Sequence, residues 1–372
     1  MGQTIGFRRL PTLRIGICLI LFAGAIRAAD PLVYVGTYTG SGSKGIYAFR
    51  LQTKNGKLTA LGLAGETSNP SFLLAHPNHR VLYAVNENGT SRQMGSVSAF
   101  AIDAQSGKLK LLNWVSSRGG APCHLALDRT ARWLAVANCE GGNIAILPLL
   151  PDGKVGDAVY YAPTGGHPTG VAFSPDNKIL LAADRGLDRI FAWRFDESKG
   201  TIVPNDPYVT YGKPGVGLRH ILFHPSGRAV YALDELDSTV TVYAYDATTG
   251  GLQHMQVAQT LPGFVPNNSP AEMALNSDAS LLYCSNRGHE SIYTFAIDLR
   301  KLTLSPGGDA PTLGTTPRGF AIDPTGEYLV AANQDSNDLA TFKVNPPSGE
   351  LTPAARLVKD VPKPVCVLFV EQ

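Results

Sequence analysis

The chain repeats one unit: a short apolar strand, a turn, a second apolar strand and a polar pair. The unit opens at Pro70-Ser71-Phe72, Pro122-Cys123-His124, Pro168-Thr169-Gly170, Leu218-Arg219-His220, Pro270-Ala271-Glu272 and Pro317-Arg318-Gly319, and once more at Pro364-Val365-Cys366. These starts lie 52, 46, 50, 52, 47 and 47 residues apart. The closing pairs are Asn86-Glu87, Asn138-Cys139, Asp184-Arg185, Asp234-Glu235, Asn286-Arg287 and Asn333-Gln334. A period near 50 residues with strand-like content predicts an all-β propeller.

Residues 216–246 show one blade. Ile221-Leu222-Phe223 is an apolar run, His224-Pro225-Ser226-Gly227 a turn, and Ala229 to Leu233 a second strand. Thr239 to Tyr245, β-branched and aromatic, is a third strand, and a weaker fourth follows. The inner two strands of each unit are almost wholly apolar, as strands covered on both faces by neighbouring blades should be. Residues 32–52 supply later strands without a first, and residues 364–371 a first strand with nothing after it. Joining them predicts seven four-stranded antiparallel blades with one blade shared by the two ends. Six or eight blades would leave pieces unpaired.

Residues 1–29 read as a secretory signal peptide. Arg8, Arg9 and Arg14 precede a short apolar stretch, Ile15 to Ile26, and Ala23-Gly24-Ala25 fits a small-residue cleavage pattern. Arg8-Arg9 raises a twin-arginine alternative, against which Pro11 follows closely. Export to the periplasm or beyond is expected, with residues 30–372 as one domain and no membrane span after cleavage. The net charge of +2, without a basic run, gives no reason to expect nucleic acid. Four cysteines remain after cleavage: Cys123, Cys139, Cys284 and Cys366. None has metal or haem spacing. The hairpin ends bring Cys123 and Cys139 near each other, so a disulfide and two free thiols are both open readings. No metal and no cofactor are expected, and the chain is expected to be a monomer.

In an antiparallel hairpin the start of the first strand neighbours the end of the second. Both ends therefore open on one face, around the central channel. Glu87, Cys139, Arg185, Glu235, Arg287 and Gln334 form one expected layer. Ser71, Cys123, Thr169, Arg219, Ala271 and Arg318 form the next. Phe72, His124, Gly170, His220, Glu272 and Gly319 form the third, with His167 beside it. The Asn and Asp members read as turn residues accepting backbone hydrogen bonds, although Asp234 is also a candidate for substrate contact. Turn geometry gives no reason for arginine in some blades, glutamate in others and histidine in two more. One reading is a set of neutralising ion pairs at a channel mouth. The other is an anion-recognising site with an acid–base group, since arginine forks suit carboxylates and histidine or glutamate serves as general base.

The stretches YVGTYT, NPSFLLAHPNHRVLYAVNE, PCHLALDRTARWLAVAN, RHILFHPSGRAVYALDELDSTVTVY, NSPAEMALNSDASLLYCSNRGHESIYTF and PRGFAIDPTGEYLVAANQDS resemble the seven-bladed propeller lactonases. The best-known members of that family are 6-phosphogluconolactonases, and fungal carboxymuconate lactonizing enzymes are relatives. The family pattern G-P-R-H stands as Gly217-Leu218-Arg219-His220, and S-N-R-G-H as Ser285 to His289. The resemblance implies a site of His124, Arg219, Glu235 and Arg287, with His167 and His220 competing for the histidine role. Arg318, Glu87, Arg185, His220, His167 and Asp234 are expected to contact substrate. Asp234, where the family more often has Asn, and Cys139, where it has an aromatic residue, are departures that bear on substrate choice. The implied reaction is hydrolysis of a small anionic or sugar lactone. The alternatives are a binding propeller without catalysis and an isomerase that closes lactones.

Overall fold

The structure is a computed structural model, and it describes residues 1–2, 30–40 and 42–371. The leader reading falls on residues that lie outside this description. Among the described residues no helix is long and apolar enough to cross a membrane.

Seven four-stranded antiparallel sheets follow one another around the ring. The fifth is typical: Leu218–Phe223, Ala229–Asp234, Thr239–Asp246 and Gly251–Gln259, paired in that order. Its second strand is buried at every position, and its fourth is mostly exposed. The core lies between blades rather than within one. Tyr231, Leu233 and Val242 of the fifth sheet pack with Leu282, Cys284 and Phe295 of the sixth. Such burial on both faces of the sheet is why the second strands carry no polar alternation.

The ring closes as the sequence predicts. Pro364–Val370 pairs with Leu32–Thr37, followed outward by Gly45–Gln52 and Lys57–Glu66. The first and last stretches thus share a sheet and leave no open edge between them.

The innermost strands carry a recurring irregularity. Pairing with the second strand shifts between Pro122 and His124, Pro168 and Gly170, Leu218 and His220, and Pro317 and Gly319. In the sixth blade the shift runs from Pro270 to Met273. Each shift leaves an unpaired residue: Cys123, Thr169, Arg219 and Arg318 in the four regular cases. A bulge of this kind re-aims the side chain it carries. Here it turns one side chain per strand towards the channel. Neighbouring inner strands also come close, and a Cβ on Gly319 would lie 2.4 Å from Val365 O.

The Asn pairs do a different job from the one expected. Asn138 Nδ2 donates to Ser117 O at 2.8 Å, Asn286 Nδ2 to Thr260 O at 2.9 Å and Asn333 Nδ2 to Thr312 O at 3.0 Å. Each amide ties its strand end to the connection arriving from the previous blade. Only Asp184 behaves as a backbone acceptor, taking the N–H groups of His167, Gly186 and Leu187 on Oδ1. His76 and His224 are turn residues, accepting from Asn78 N and Ser226 N.

Candidate active site

The bulged and strand-end side chains meet in a cavity of about 240 Å³ at one end of the channel. Glu87, Arg185, Arg219, Glu235, Arg287 and Arg318 line it together with Tyr38, Thr169, Cys123 and Cys139. Below it lies a smaller space of about 40 Å³, bordered by His124, His220, Glu272 and Phe72. Cys123, Thr169, Arg219 and Arg318 border both spaces, so the two are neighbours.

Glu235 is the hub. Arg287 Nη2 lies 2.6 Å from Oε1, Arg219 Nη1 3.0 Å from Oε2, and Arg185 Nε 2.5 Å from Oε2. The Arg185 approach is an ion pair off the line of a directed hydrogen bond. Ser269 Oγ adds a bond to Oε1 at 2.8 Å. Burial alone would raise the Glu235 pKa, but Arg219, Arg287 and Arg185 outweigh it and bring it to about 2. A carboxylate so acidic is a weak proton acceptor at neutral pH, which argues against Glu235 as general base. Burial and Arg219 together lower the Arg287 pKa to about 10, against the pull of Glu235.

The opposite wall has its own pair. Tyr38 Oη donates to Glu87 at 3.0 and 3.1 Å, and the Arg318 guanidinium lies over its ring, 5.1 Å from the centroid. Arg318 Nη2 also reaches Glu87 at 3.8 Å. Four guanidinium groups thus face two carboxylates in the upper cavity, an excess of two positive charges (4 − 2).

In the deeper space His220 Nδ1 lies 2.9 Å from Glu272 Oε1, and Met273 N donates to that same oxygen at 3.0 Å. The imidazole therefore has one nitrogen committed to a fixed carboxylate, and the other has no hydrogen-bond partner among the described residues. His124 differs. Val171 N donates to its Nδ1 at 3.3 Å, which places the ring proton on Nε2. Burial, then His220 and Arg219, hold its pKa well below the usual range, so the ring is neutral. Its buried Nε2 has no partner among the described residues, so a hydrogen-bond donor is available at the water-sized space.

Two expected site residues stand elsewhere. Asp234 is buried inside its blade, where Oδ2 accepts from Thr241 Oγ1 at 2.6 Å and Thr239 Oγ1 at 2.9 Å, so it is scaffold. His167 sits on the rim, with Nδ1 3.1 Å from Cys139 O, and does not border the deeper space. Cys123 and Cys139 are free thiols. Hydrogen bonding from Cys123, aided by His167, lowers the Cys139 pKa to about 7 despite burial.

Sequence reading missed Tyr38 and Ser269 as site residues. Tyr38 follows the second strand of the shared blade, the place Glu87 and Glu235 hold in theirs. Extending the polar-pair count to Thr37-Tyr38 would have found it. Ser269 lies just before its bulge, where no repeat pattern marks it.

Comparison with known proteins agrees with the seven-bladed fold. Residues 32–369 match the family described as "Lactonase, 7-bladed beta-propeller". A 6-phosphogluconolactonase of Bacillus subtilis is 32% identical over 350 residues, 91% of this chain and 98% of its own. A 6-phosphogluconolactonase of Formosa agariphila is 31% identical over 335 residues, 86% of this chain and 94% of its own. The solved periplasmic gluconolactonase of Pseudomonas aeruginosa superposes with a TM-score of 0.86 at 31% identity, covering 92% of this chain and 99% of that one.

Proposed function

This chain belongs to the seven-bladed β-propeller lactonase family, and from that membership we propose that it hydrolyses a small sugar lactone in the arginine-lined channel cavity. The observation that carries this reading is that Arg219 borders two chemically distinct, neighbouring spaces. The upper one offers positive charge and the lower one a His–Glu pair.

Lactone hydrolysis develops negative charge on the carbonyl oxygen and ends in a carboxylate. Arg219 and Arg287, fixed by Glu235, are pre-oriented donors for that charge and need no reorganisation when it forms. Glu235 acts by holding them. His220, oriented by Glu272, takes the proton from the attacking water through its other nitrogen and returns it to the ring oxygen as the acyl C–O bond breaks to give the hydroxy acid. His124 donates through Nε2 to hold that water. Arg318, steadied by Tyr38 and Glu87, binds the substrate's hydroxyls or anionic group, and Arg185 closes the outer side.

The substrate we favour is an unphosphorylated aldonolactone of the gluconolactone kind, met outside the cytoplasm. Two observations support it: the basic, apolar, small-residue pattern of residues 1–29, and the likeness to a periplasmic gluconolactonase.

The test is acid release at neutral pH from a panel of phosphorylated and unphosphorylated lactones. Turnover of gluconolactone is expected. Turnover of phosphorylated lactones alone would overturn the substrate assignment. No turnover of any lactone would favour a binding propeller.

A further inference from the structure

We propose that Cys139, Glu140 and His167 form a divalent-metal site of the zinc class on the rim of the channel. This assignment is independent of the lactonase reading. One ligand atom from each of the three residues lies within 4.8 Å of the other two. His167 Nδ1 is 3.9 Å from Cys139 Sγ and 3.9 Å from Glu140 Oε1. Donor atoms around a tetrahedral zinc stand roughly 3.3–3.8 Å apart, given bonds of about 2.0–2.3 Å. A contraction of at most about 1–1.5 Å in the widest pair therefore closes the set.

The backbone that carries these groups is already fixed. Cys139 N donates to Ala121 O at 3.0 Å, His167 N to Asp184 Oδ1 at 2.9 Å, and Arg185 N to His167 O at 3.0 Å. The imidazole also rests against Gly186, where a Cβ would stand 2.8 Å from His167 Cδ2. Only side-chain rotations remain, and these exchange the present His167 Nδ1 contact with Cys139 O, at 3.1 Å, for the metal.

The donor set selects the metal. A thiolate, an imidazole and a carboxylate suit zinc or cobalt, whereas calcium and magnesium prefer oxygen alone. His167 and Glu140 have side chains 48% and 51% exposed, so a fourth position faces solvent. Cys139 lines the upper cavity, which puts the ion at its edge. The motif is invisible to sequence spacing because the ligands come from two blades and Cys139 and His167 are 28 residues apart.

The test uses phosphine-reduced full-length protein, titrated calorimetrically with Zn²⁺ and followed in the visible with Co²⁺. One equivalent should bind, with a thiolate-to-cobalt charge-transfer band. Cys139→Ser and His167→Gln should each weaken binding tenfold or more, with unchanged melting curves, and roughly tenfold is expected for Gly186→Ala, which displaces the ring without removing a ligand. Cys123→Ser should bind as the parent does. Failure of the reduced parent to bind either metal would overturn the proposal. So would parental affinity in both ligand variants, or a loss in Cys123→Ser equal to that in Cys139→Ser, which would assign a dithiol site instead.

Discussion

Arg287 Nη2 donates to Glu235 Oε1 at 2.6 Å, and the same guanidinium is pinned from behind by Ser269 O at 2.9 Å. The arginine is thus held at both ends before any ligand arrives. Its partner is held too, because Arg219 takes the other carboxylate oxygen.

Removing the Glu235 charge should therefore damage stability as well as turnover. Glu235→Gln leaves three guanidinium groups without a counter-charge, and breaking a buried ion pair costs about 3–5 kcal/mol. The effect has a pH signature. The folded carboxyl titrates near 2 rather than at its ordinary 4.5. Its stabilisation is fully present above about 4.5 and is lost as pH falls towards 2, on the order of 3 kcal/mol. Denaturant titrations between pH 2 and 7 should show this loss in the parent and its absence in the variant. Parallel curves would contradict the arginine clamp.

His220→Gln should lower kcat by roughly 10²–10⁴-fold with little change in KM, the range expected for loss of a general base. Glu272→Gln should have a smaller effect in the same direction, since it orients the ring rather than accepting the proton. Steady-state kinetics on gluconolactone measures both. Full activity in His220→Gln would move the base elsewhere.

Tyr38→Phe removes the hydroxyl that holds Glu87 but keeps the ring under Arg318. Losing one hydrogen bond of about 1 kcal/mol corresponds to roughly a fivefold rise in KM. The kcat should stay within about twofold, because Tyr38 does not touch the His–Glu pair. A large fall in kcat with KM unchanged would refute this division of labour.

Asp234→Asn should stabilise the protein at neutral pH and leave activity intact. Burial raises the Asp234 pKa from 3.8 to about 6 despite the bonds from Thr241 and Thr239. The folded state therefore holds its proton more tightly, and stability declines as pH rises from about 3.8 through 6. Asn cannot ionise, and its amide can serve the blade as Asn286 and Asn333 do. A gain on the order of 1–2 kcal/mol at pH 7, vanishing below pH 4, is expected from melting curves. A tenfold loss of turnover would return Asp234 to the site.

The architecture was readable because burial between blades forces the same answer at every repeat. Val81–Asn86, Ile179–Asp184 and Ala229–Asp234 are each buried throughout, so each is written in apolar letters. The shared blade was readable from the unmatched strands at 32–52 and 364–371. The channel face was readable as well: hairpin geometry groups Glu87, Arg185, Glu235 and Arg287, and the structure brings them into one cavity with Arg219 and Arg318. What each group does there was not readable. The acidity of Glu235 depends on arginines from three different blades, at distances no repeat spacing encodes. His124 and His220 look alike in sequence, yet one faces a backbone N–H and the other a carboxylate. Asp234 matched its neighbours in register but is packed among threonines.

The pairing of Leu32–Thr37 with Pro364–Val370 also sets when this protein can begin to work. Tyr38 N donates to Lys363 O at 3.0 Å, and Val365 borders the deeper space. The first of these strands is synthesised roughly 330 residues before its partner, a delay on the order of tens of seconds at about 5–20 residues per second. Until then an apolar edge stays exposed and one wall of the channel is missing. A nascent chain carrying six complete blades would hold all four arginines yet lack the seat of Tyr38. Competence thus arrives in a single late step, and a protein stalled just short of it is an aggregation hazard rather than a slow enzyme.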